Sequence, residues 1–343
     1  RTSKRRVMEC ILKPKDFDSD QKVKLFPGCG DYAVLNSVKK ALAELSIKKE
    51  DVAFISGIGC SSRFPYYMET YGFHTIHGRA AAIATGTKLA NPDLSVWVIS
   101  GDGDALAIGG NHFIHVVHRN LNMNMILFNN EIYGLTKGQY SPTTKRGEVT
   151  KSSPHGTIES PFLPGELALG SGSNFFARVP DTNVKLMTQT FIDAEKHNGY
   201  SLVEVLQNCV IFNDNVHESI TSKETRDDNQ LVLKHGQPMI FGKESNKGIR
   251  LNGLELEVVT IGENGVSEAD LLVHDAHTQS PVLHTMLVRM KFPEFPVAMG
   301  VIRDVEAPVY NDELEAQIAD AIHKSKFQSL DELFQSGNTF EVK

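Results

Sequence analysis

The sequence predicts an α/β protein with a doubly wound, mostly parallel sheet and a smaller C-terminal region. Short, continuous apolar segments alternate with helical patterns through the first two thirds of the 343 residues. Such segments are typical of parallel strands that helices cover on both faces. After about residue 213 the sequence changes to charged, loop-like segments. We therefore expect an N-terminal arm at 1–24, a first domain at 25–213 and a C-terminal region at 214–343.

Helical spacing and apolar runs predict the elements in order. Asp31 can cap a helix whose apolar residues recur every three or four positions. The small-residue segment 78–90 predicts a second helix, which stops at Asn91-Pro92 and packs closely against a flat surface. Segment 141–166 contains four prolines and little periodicity, so it predicts a long ordered loop of the kind that often carries function. Further helices are expected at 108–119, 313–322 and 330–333, and strands at 52–56, 96–99, 123–128, 201–206 and 254–261.

Composition excludes several classes of protein. Apolar residues make up 41% of the chain and charged residues 22%, which is typical of a folded globular protein rather than a disordered one. The net charge of −7 argues against nucleic acid or an anionic membrane as a partner. No apolar stretch reaches the roughly 18 residues of a membrane-spanning helix. The four cysteines are widely spaced and the basic start has no apolar run after it, so we expect a cytoplasmic protein without disulfides.

Polar and glycine-rich segments follow three of the predicted strands, where α/β proteins bind their ligands. Gly101 and Gly103 let backbone amides approach an anion without a Cβ in the way. Asp102 supplies a carboxylate oxygen, and Asn130 supplies a carboxamide oxygen from the end of the next strand. Mg²⁺ prefers oxygen ligands and is often shared with phosphates. These residues therefore predict a diphosphate that is held through a divalent cation. The three segments are GIGCSSR at 57–63, SGDGD at 100–104 and FNNEIYGLT at 128–136.

The GDG segment after one strand and the Asn-Asn pair after the next resemble the motif of enzymes that depend on thiamine diphosphate (ThDP). In that family the GDG aspartate, the last asparagine and a backbone carbonyl two residues later hold the metal. The resemblance therefore implies Mg²⁺ ligation by Asp102, Asn130 and the Ile132 carbonyl. It also implies that the sheet is of the ThDP-binding type.

Four longer segments resemble the β subunit of the 2-oxoacid:ferredoxin oxidoreductases, most closely those that act on 2-oxoglutarate. The resemblance covers about 25–212, and the tail beyond 214 is compatible with the family's C-terminal region. The segments are PGCGD at 27–31, HGRAAAIATG at 77–86, GDGDALAIGGNHFIH at 101–115 and NNEIYGLTKGQYSPT at 129–143. The resemblance implies ThDP contacts from Ser61, His77, Gly101, Asp102, Gly103, Asp104, Asn130, Gly134, Leu135 and Thr136.

Members of this family hold a [4Fe–4S] cluster with four thiolates, and this chain matches three of them. The matching residues are Cys29, Cys60 and Cys209, while Phe26 stands where the first cysteine is expected. Because cluster iron normally takes four cysteines, several alternatives stay open. In the first, three thiolates bind the cluster together with a foreign ligand or with Cys10 from the arm. In the second, a three-iron cluster forms. In the third, no stable cluster forms and the cysteines are structural. We favour a cluster.

Arg63 follows Cys60-Ser61-Ser62 at a strand end, beside the expected cofactor. A guanidinium can pair bidentately with a carboxylate, so Arg63 suits a substrate with a second, distal carboxylate, such as 2-oxoglutarate, better than pyruvate. The alternative is an ordinary structural salt bridge.

Three functions remain open from the sequence. The resemblance implies a subunit that is active only with a partner α subunit, in a coenzyme A-dependent oxidative decarboxylation of a 2-oxoacid to acyl-CoA and CO2 with ferredoxin as acceptor. Because Phe26 replaces an expected cluster cysteine, the alternative is a non-redox ThDP-dependent decarboxylase or carboligase subunit without a cluster. A non-enzymatic subunit that binds ThDP and stabilises a partner is the third hypothesis.

Overall fold

A computed structural model describes residues 12–327, 329–340 and 342 of the chain. Residues 1–11 of the predicted N-terminal arm, including Cys10, lie outside the described residues.

Eight strands form one sheet in the order β2-β1-β3-β4-β6-β5-β11-β7. Neighbouring strands are parallel except β5 and β11, which are antiparallel. This arrangement confirms the predicted doubly wound, mostly parallel α/β sheet. The strands are β1 Val52–Ser56, β2 Tyr71–His74, β3 Ser95–Gly101, β4 Met123–Asn129, β5 Phe175–Pro180, β6 Tyr200–Leu206, β7 Gln230–Val232, β8 Ile240–Phe241, β9 Lys247–Asn252, β10 Glu255–Thr260 and β11 Val297–Asp304.

Helices cover both faces of this sheet because its strands are apolar on both faces. Along β1, Val52 and Phe54 pack with apolar residues of α1 and α6, whereas Ala53 and Ile55 pack with those of α2, α4, α5 and α9. The helices are α1 Asp31–Glu44, α2 Ala80–Ala90, α3 Asp102–Leu106, α4 Gly110–Arg119, α5 Pro164–Gly170, α6 Val184–Lys196, α7 Glu218–Thr221, α8 Arg226–Asn229, α9 Val282–Arg289, α10 Tyr310–Lys324 and α11 Leu330–Gln335.

The region after residue 213 extends the main sheet and also builds a second one. Strands β7 and β11 pair in parallel at one edge of the main sheet, while β8, β9 and β10 form a separate antiparallel sheet. The division of the chain into domains therefore stays a prediction. In the part of the chain that the structure describes, no helix is both long enough and apolar enough to cross a membrane.

Two buried histidines lie beside β11. A ring nitrogen of His274 hydrogen-bonds to the Val301 carbonyl at 2.9 Å, and one of His284 hydrogen-bonds to the Asp275 carbonyl at 2.9 Å. Burial lowers the pKa of His274 to about 4 and also lowers the pKa of His284 below its ordinary value. Both rings are therefore neutral in the folded protein at neutral pH.

These histidines should make the protein sensitive to acid. The unfolded chain binds protons at His274 from about pH 6.5 downwards, whereas the folded protein does so only near pH 4. The contribution of the neutral His274 to the free energy of unfolding should therefore be fully present above pH 6.5. The free energy of unfolding should fall by up to about 3 kcal/mol as the pH drops towards 4. His274→Gln, which keeps an N–H donor for Val301, should reduce the loss of thermal stability between pH 7 and pH 4.5.

The control for this measurement is His323→Gln, because that side chain is exposed on α10. Melting temperatures of the two variants and the wild type across the pH range would test the prediction. Identical pH slopes for His274→Gln and the wild type would contradict it.

Candidate functional site

A cavity of about 410 Å³ opens at the carboxyl ends of β1, β3, β4 and β6. All the site residues that the sequence predicts line it. They are Cys29, Cys60, Ser61, Arg63, His77, Gly101, Asp102, Gly103, Asp104, Asn130, Ile132, Gly134, Leu135, Thr136 and Cys209.

The sheet brings Asp102 and Asn130 to the same edge. Strands β3 and β4 are parallel neighbours, and Gly101 is paired with Phe128 in their register. Asp102 follows this pair directly as the first residue of α3, and Asn130 follows the last residue of β4. Both side chains therefore reach the cavity from adjacent strand ends.

Asp102 is buried, with 1% of its surface exposed. Its Oδ2 accepts hydrogen bonds from the Ser141 hydroxyl and, at 2.6 Å, from the Thr143 hydroxyl. Burial raises the pKa of Asp102 to about 6, although these two hydrogen bonds oppose the shift. No lysine, arginine or histidine within the described residues forms an ion pair with this carboxylate. A cation bound in the cavity would supply the missing positive charge.

The Asn130 carboxamide is held by its neighbours. Its Nδ2 donates to Gln207 Oε1 at 2.7 Å, and its Oδ1 accepts from the Ile132 N–H at 3.2 Å. The side chain of Asn213 donates to the Asn130 backbone carbonyl at 2.9 Å. A carboxamide oxygen has two lone pairs, so Oδ1 keeps one for a further partner.

A buried ion pair supports the end of β4. Arg178 Nε donates to Glu204 Oε2 at 2.7 Å, and both side chains are almost completely buried. The other carboxylate oxygen of Glu204 accepts from Asn129 Nδ2 at 2.7 Å. Three parallel strands are thus tied together directly beneath Asn130.

Of the two glycines beside Asp102, close packing requires Gly103. A Cβ on Gly103 would lie 2.3 Å from the Tyr133 ring, whose hydroxyl donates to the Gly103 carbonyl at 2.8 Å. A Cβ on Gly101 would make only ordinary contacts, the nearest with the buried Ser61 hydroxyl at 3.7 Å. Gly103 therefore allows Tyr133 to pack, and Gly101 leaves room at the cavity wall.

Asp104 links the segment at His77 and Gly78 to strand β3. Its Oδ1 accepts from the Gly78 N–H at 2.8 Å, and its Oδ2 accepts from the Ser100 hydroxyl at 2.6 Å. His77 is exposed, with its Nδ1 3.7 Å from Asp104 Oδ1. Both oxygens of Asp104 are therefore engaged within the protein, while the exposed His77 lines the cavity.

The turn after Asn130 forms one rim of the cavity. Ile132 is buried, whereas Leu135 and Thr136 are exposed. A Cβ on Gly134 would lie 3.5 Å from Cys209 Sγ and 3.8 Å from Cys60 Sγ. The turn therefore connects the predicted diphosphate region with two of the cysteines.

Cys29, Cys60 and Cys209 are free thiols and half-buried. Burial, and next the negative charge of Asp31, raise the pKa of Cys29 far above its usual value and that of Cys60 to about 11. Among the described residues, no group of three or more His, Cys, Asp or Glu side chains lies close enough to hold a single metal ion. Phe26 stands where the family's first cluster cysteine is expected. It is 54% exposed and lines the same cavity.

Arg63 is exposed and lines the cavity next to Cys60. Its Nη1 donates to the Lys24 carbonyl at 3.3 Å. No carboxylate within the described residues forms an ion pair with it, so its guanidinium keeps donors for a ligand.

Sequence reasoning missed several residues that shape the site. Ser141 and Thr143 hold Asp102, Tyr133 packs on Gly103, and Gln207 contacts Asn130. The long loop predicted at 141–166 could have indicated the Ser141 and Thr143 hydroxyls, because both residues lie at its start. No motif signalled Gln207, because a single glutamine after a strand has no distinctive spacing.

Comparison with known proteins identifies the same region. Residues 57–205 match the family described as "Thiamine pyrophosphate enzyme, C-terminal TPP binding domain". The chain is 47% identical over 310 residues to a protein of Mycobacterium tuberculosis named "2-oxoglutarate oxidoreductase subunit KorB", and the match covers 90% of this chain and 82% of the relative. It is also 48% identical to a "2-oxoacid:ferredoxin oxidoreductase subunit beta" of Sulfolobus, over 55% of this chain and 62% of that one.

A solved structure resembles nearly the whole chain. It is titled "2-oxoglutarate:ferredoxin oxidoreductase from Magnetococcus marinus with 2-oxoglutarate, coenzyme A and succinyl-CoA bound". The likeness has a TM-score of 0.75 at 32% identity and covers 96% of this chain and 97% of that one. The long match to the mycobacterial relative and this shared fold lead to one conclusion: the chain belongs to the β subunits of the 2-oxoacid:ferredoxin oxidoreductases and is a subunit of an oxidoreductase.

Proposed function

We propose that this chain is the ThDP-, Mg²⁺- and cluster-carrying subunit of a 2-oxoglutarate:ferredoxin oxidoreductase. With a partner α subunit, the enzyme would convert 2-oxoglutarate and coenzyme A to succinyl-CoA and CO2, with ferredoxin as electron acceptor. The observation that carries the proposal is that the buried Asp102, Asn130 and three free thiols line one cavity. The names of the mycobacterial relative and of the Magnetococcus marinus enzyme support the choice of 2-oxoglutarate.

The residues at the ends of β3 and β4 fit a diphosphate with Mg²⁺. Asp102, Asn130 Oδ1 and the Ile132 carbonyl would hold the cation, because they offer the oxygen ligands that Mg²⁺ prefers. Backbone amides at Gly101 and Gly103 would face the diphosphate. ThDP, when bound, supplies the electron sink that decarboxylation of a 2-oxoacid needs. The protein's own part is to orient the cofactor and to exclude water from the cavity.

The mouth of the cavity supports the need for a partner subunit. Phe26, Leu135 and Ile211 line the cavity, yet each exposes about half of its surface. Exposed apolar side chains grouped around a cavity are typical of a surface that another chain covers. We therefore expect the α subunit to close this mouth.

Asp102→Ala should abolish tight ThDP binding, because it removes the only carboxylate proposed for the cation. We expect the dissociation constant for ThDP in excess Mg²⁺ to rise at least about tenfold, roughly 1.4 kcal/mol, in calorimetric titration of the complex with the α subunit. Activity of the complex should be lost as well.

Asp51→Ala is the matched control, since that carboxylate is exposed before β1. Full activity of the Asp102→Ala complex would contradict the proposal and favour a non-enzymatic subunit.

Cys29, Cys60 and Cys209 fit three ligands of an iron–sulfur cluster because they are the free thiols of this cavity. We propose that they hold the cluster, with a fourth ligand that is not a cysteine of the described residues, or as a three-iron cluster. Metal binding would deprotonate thiols whose pKa the fold raises.

Anaerobically purified complex should contain iron and acid-labile sulfide. Cys209→Ser should lower both at least about twofold while ThDP affinity stays within about twofold, because it removes one cluster ligand and leaves the metal ligands of the diphosphate intact. Cys10→Ser tests the remaining cysteine, because loss of iron in that variant would identify Cys10 as the fourth ligand.

An iron-free complex that still decarboxylates would contradict the redox proposal. It would instead favour the second candidate, a non-redox ThDP-dependent decarboxylase or carboligase subunit. Phe26, which stands where the first cluster cysteine is expected, is the observation that keeps this candidate open.

We propose that Arg63 binds the distal carboxylate of the substrate. Arg63→Met should raise KM for 2-oxoglutarate at least about tenfold, as expected for the loss of a bidentate ion pair. The KM for pyruvate should change far less, and Arg63→Lys should be intermediate. Arg289→Met, which alters a surface ion pair, is the control. Equal effects on both substrates would exclude this role.

A further inference from the structure

Gln207 lies between the proposed Mg²⁺ site and the proposed cluster site. It follows β6 directly, is 1% exposed, and lines the cavity. Its Oε1 accepts from Asn130 Nδ2 at 2.7 Å, while its Nε2 donates towards Cys29 Sγ at 3.5 Å. One side-chain amide thus contacts a residue of each site.

The oxygen of this amide orients Asn130. Because Gln207 Oε1 can only accept a hydrogen bond, it selects the NH₂ side of the Asn130 carboxamide. The Asn130 oxygen is thereby directed away from Gln207, where it accepts from the Ile132 N–H and keeps a lone pair for a cation. The Gln207 oxygen and the Ile132 N–H thus select the same orientation of the carboxamide, and the Gln207 contact is the shorter of the two.

The nitrogen of the same amide acts on the sulfur of Cys29. An N–H donor stabilises the negative charge on a thiolate, and hydrogen bonds to cluster sulfurs are among the features that set a cluster's reduction potential. The second N–H of Gln207 donates to the Asn208 carbonyl. Both donors of the amide are therefore used, and the acceptor as well.

Backbone contacts keep this glutamine in place. The Gln207 N–H donates to the Asn129 carbonyl at 3.0 Å, which continues the pairing of β6 with β4. A Cβ on Gly30 would lie 3.0 Å from Gln207 Cγ, so the side chain packs tightly against the segment that carries Cys29. The amide therefore has little freedom to turn.

We propose that Gln207 is a positioning residue that serves both cofactors: it fixes the Asn130 carboxamide for Mg²⁺ and donates an N–H to the Cys29 ligand of the cluster. The inference rests on the proposed function. It goes beyond that function by assigning the link between the two sites to one side chain.

Two variants separate the two contacts. Gln207→Glu keeps an oxygen for Asn130 but loses the N–H and places negative charge beside Cys29. Gln207→Met has a similar volume and loses both contacts. We measure ThDP affinity in excess Mg²⁺ by calorimetry and the cluster midpoint potential by EPR-monitored redox titration, both on the complex with the α subunit.

We expect the midpoint potential to fall in both variants, because both lose the donor to sulfur. The dissociation constant for ThDP should stay within about twofold in Gln207→Glu and rise about 10–100-fold in Gln207→Met, the range for loss of a group that orients a metal ligand. Gln317→Glu, at an exposed position of α10, controls for added charge and should match the wild type.

Lower thermal stability with unchanged potential and unchanged ThDP affinity in both variants would overturn the inference, because it would show a purely structural glutamine. A wild-type complex that binds ThDP but holds no cluster would overturn the link to the cluster. A wild-type complex that binds no ThDP would instead overturn the proposed function itself.

Discussion

The structure depends on the adjacency of two parallel strand ends. Because β3 and β4 are neighbours in register, the residues that follow them, Asp102 and Asn130, reach the same cavity. The fold buries the Asp102 carboxylate among neutral donors, namely the Ser141 and Thr143 hydroxyls and the backbone N–H groups of Asp102 and Gly103. No lysine, arginine or histidine of the described residues forms an ion pair with it. Burial of a carboxylate in this way is costly unless a cation accompanies it. A divalent cation at this edge of the sheet would compensate the buried charge of Asp102, so burial of the carboxylate would favour binding of the cation.

The sequence was most informative where an element is apolar on both faces or ends in a distinctive motif. The strand predicted at 123–128 is found as β4, and the one at 96–99 as the centre of β3. Strand β2 was missed because all four of its residues are exposed at the sheet edge, so burial leaves no pattern in them. Strand β5 was missed because it contains Arg178, a buried charge that pairs with Glu204 and also donates to the Val288 carbonyl.

The candidate site divides in the same way. Glycines, Asp102 and Asn130 occur in short motifs with chemical meaning, so their position at one cavity could be predicted from strand order. Two residues that hold them in place come from other segments: Thr143 lies in the loop after β4, and Gln207 directly follows β6. Their contacts follow from tertiary packing alone, because side-chain hydrogen bonds over long sequence separations have no local pattern.

The raised pKa of two of the thiols bears on what these cysteines do. A nucleophilic or redox-sensing cysteine is activated by a lowered pKa, whereas burial and the charge of Asp31 keep Cys29 and Cys60 protonated. At neutral pH these two thiols therefore carry little thiolate, which is the nucleophilic form. The N–H that Gln207 directs towards Cys29 would stabilise a thiolate in the proposed cluster more than the neutral thiol. The raised pKa of Cys29 and Cys60 therefore does not fit a free nucleophilic or redox-sensing thiol.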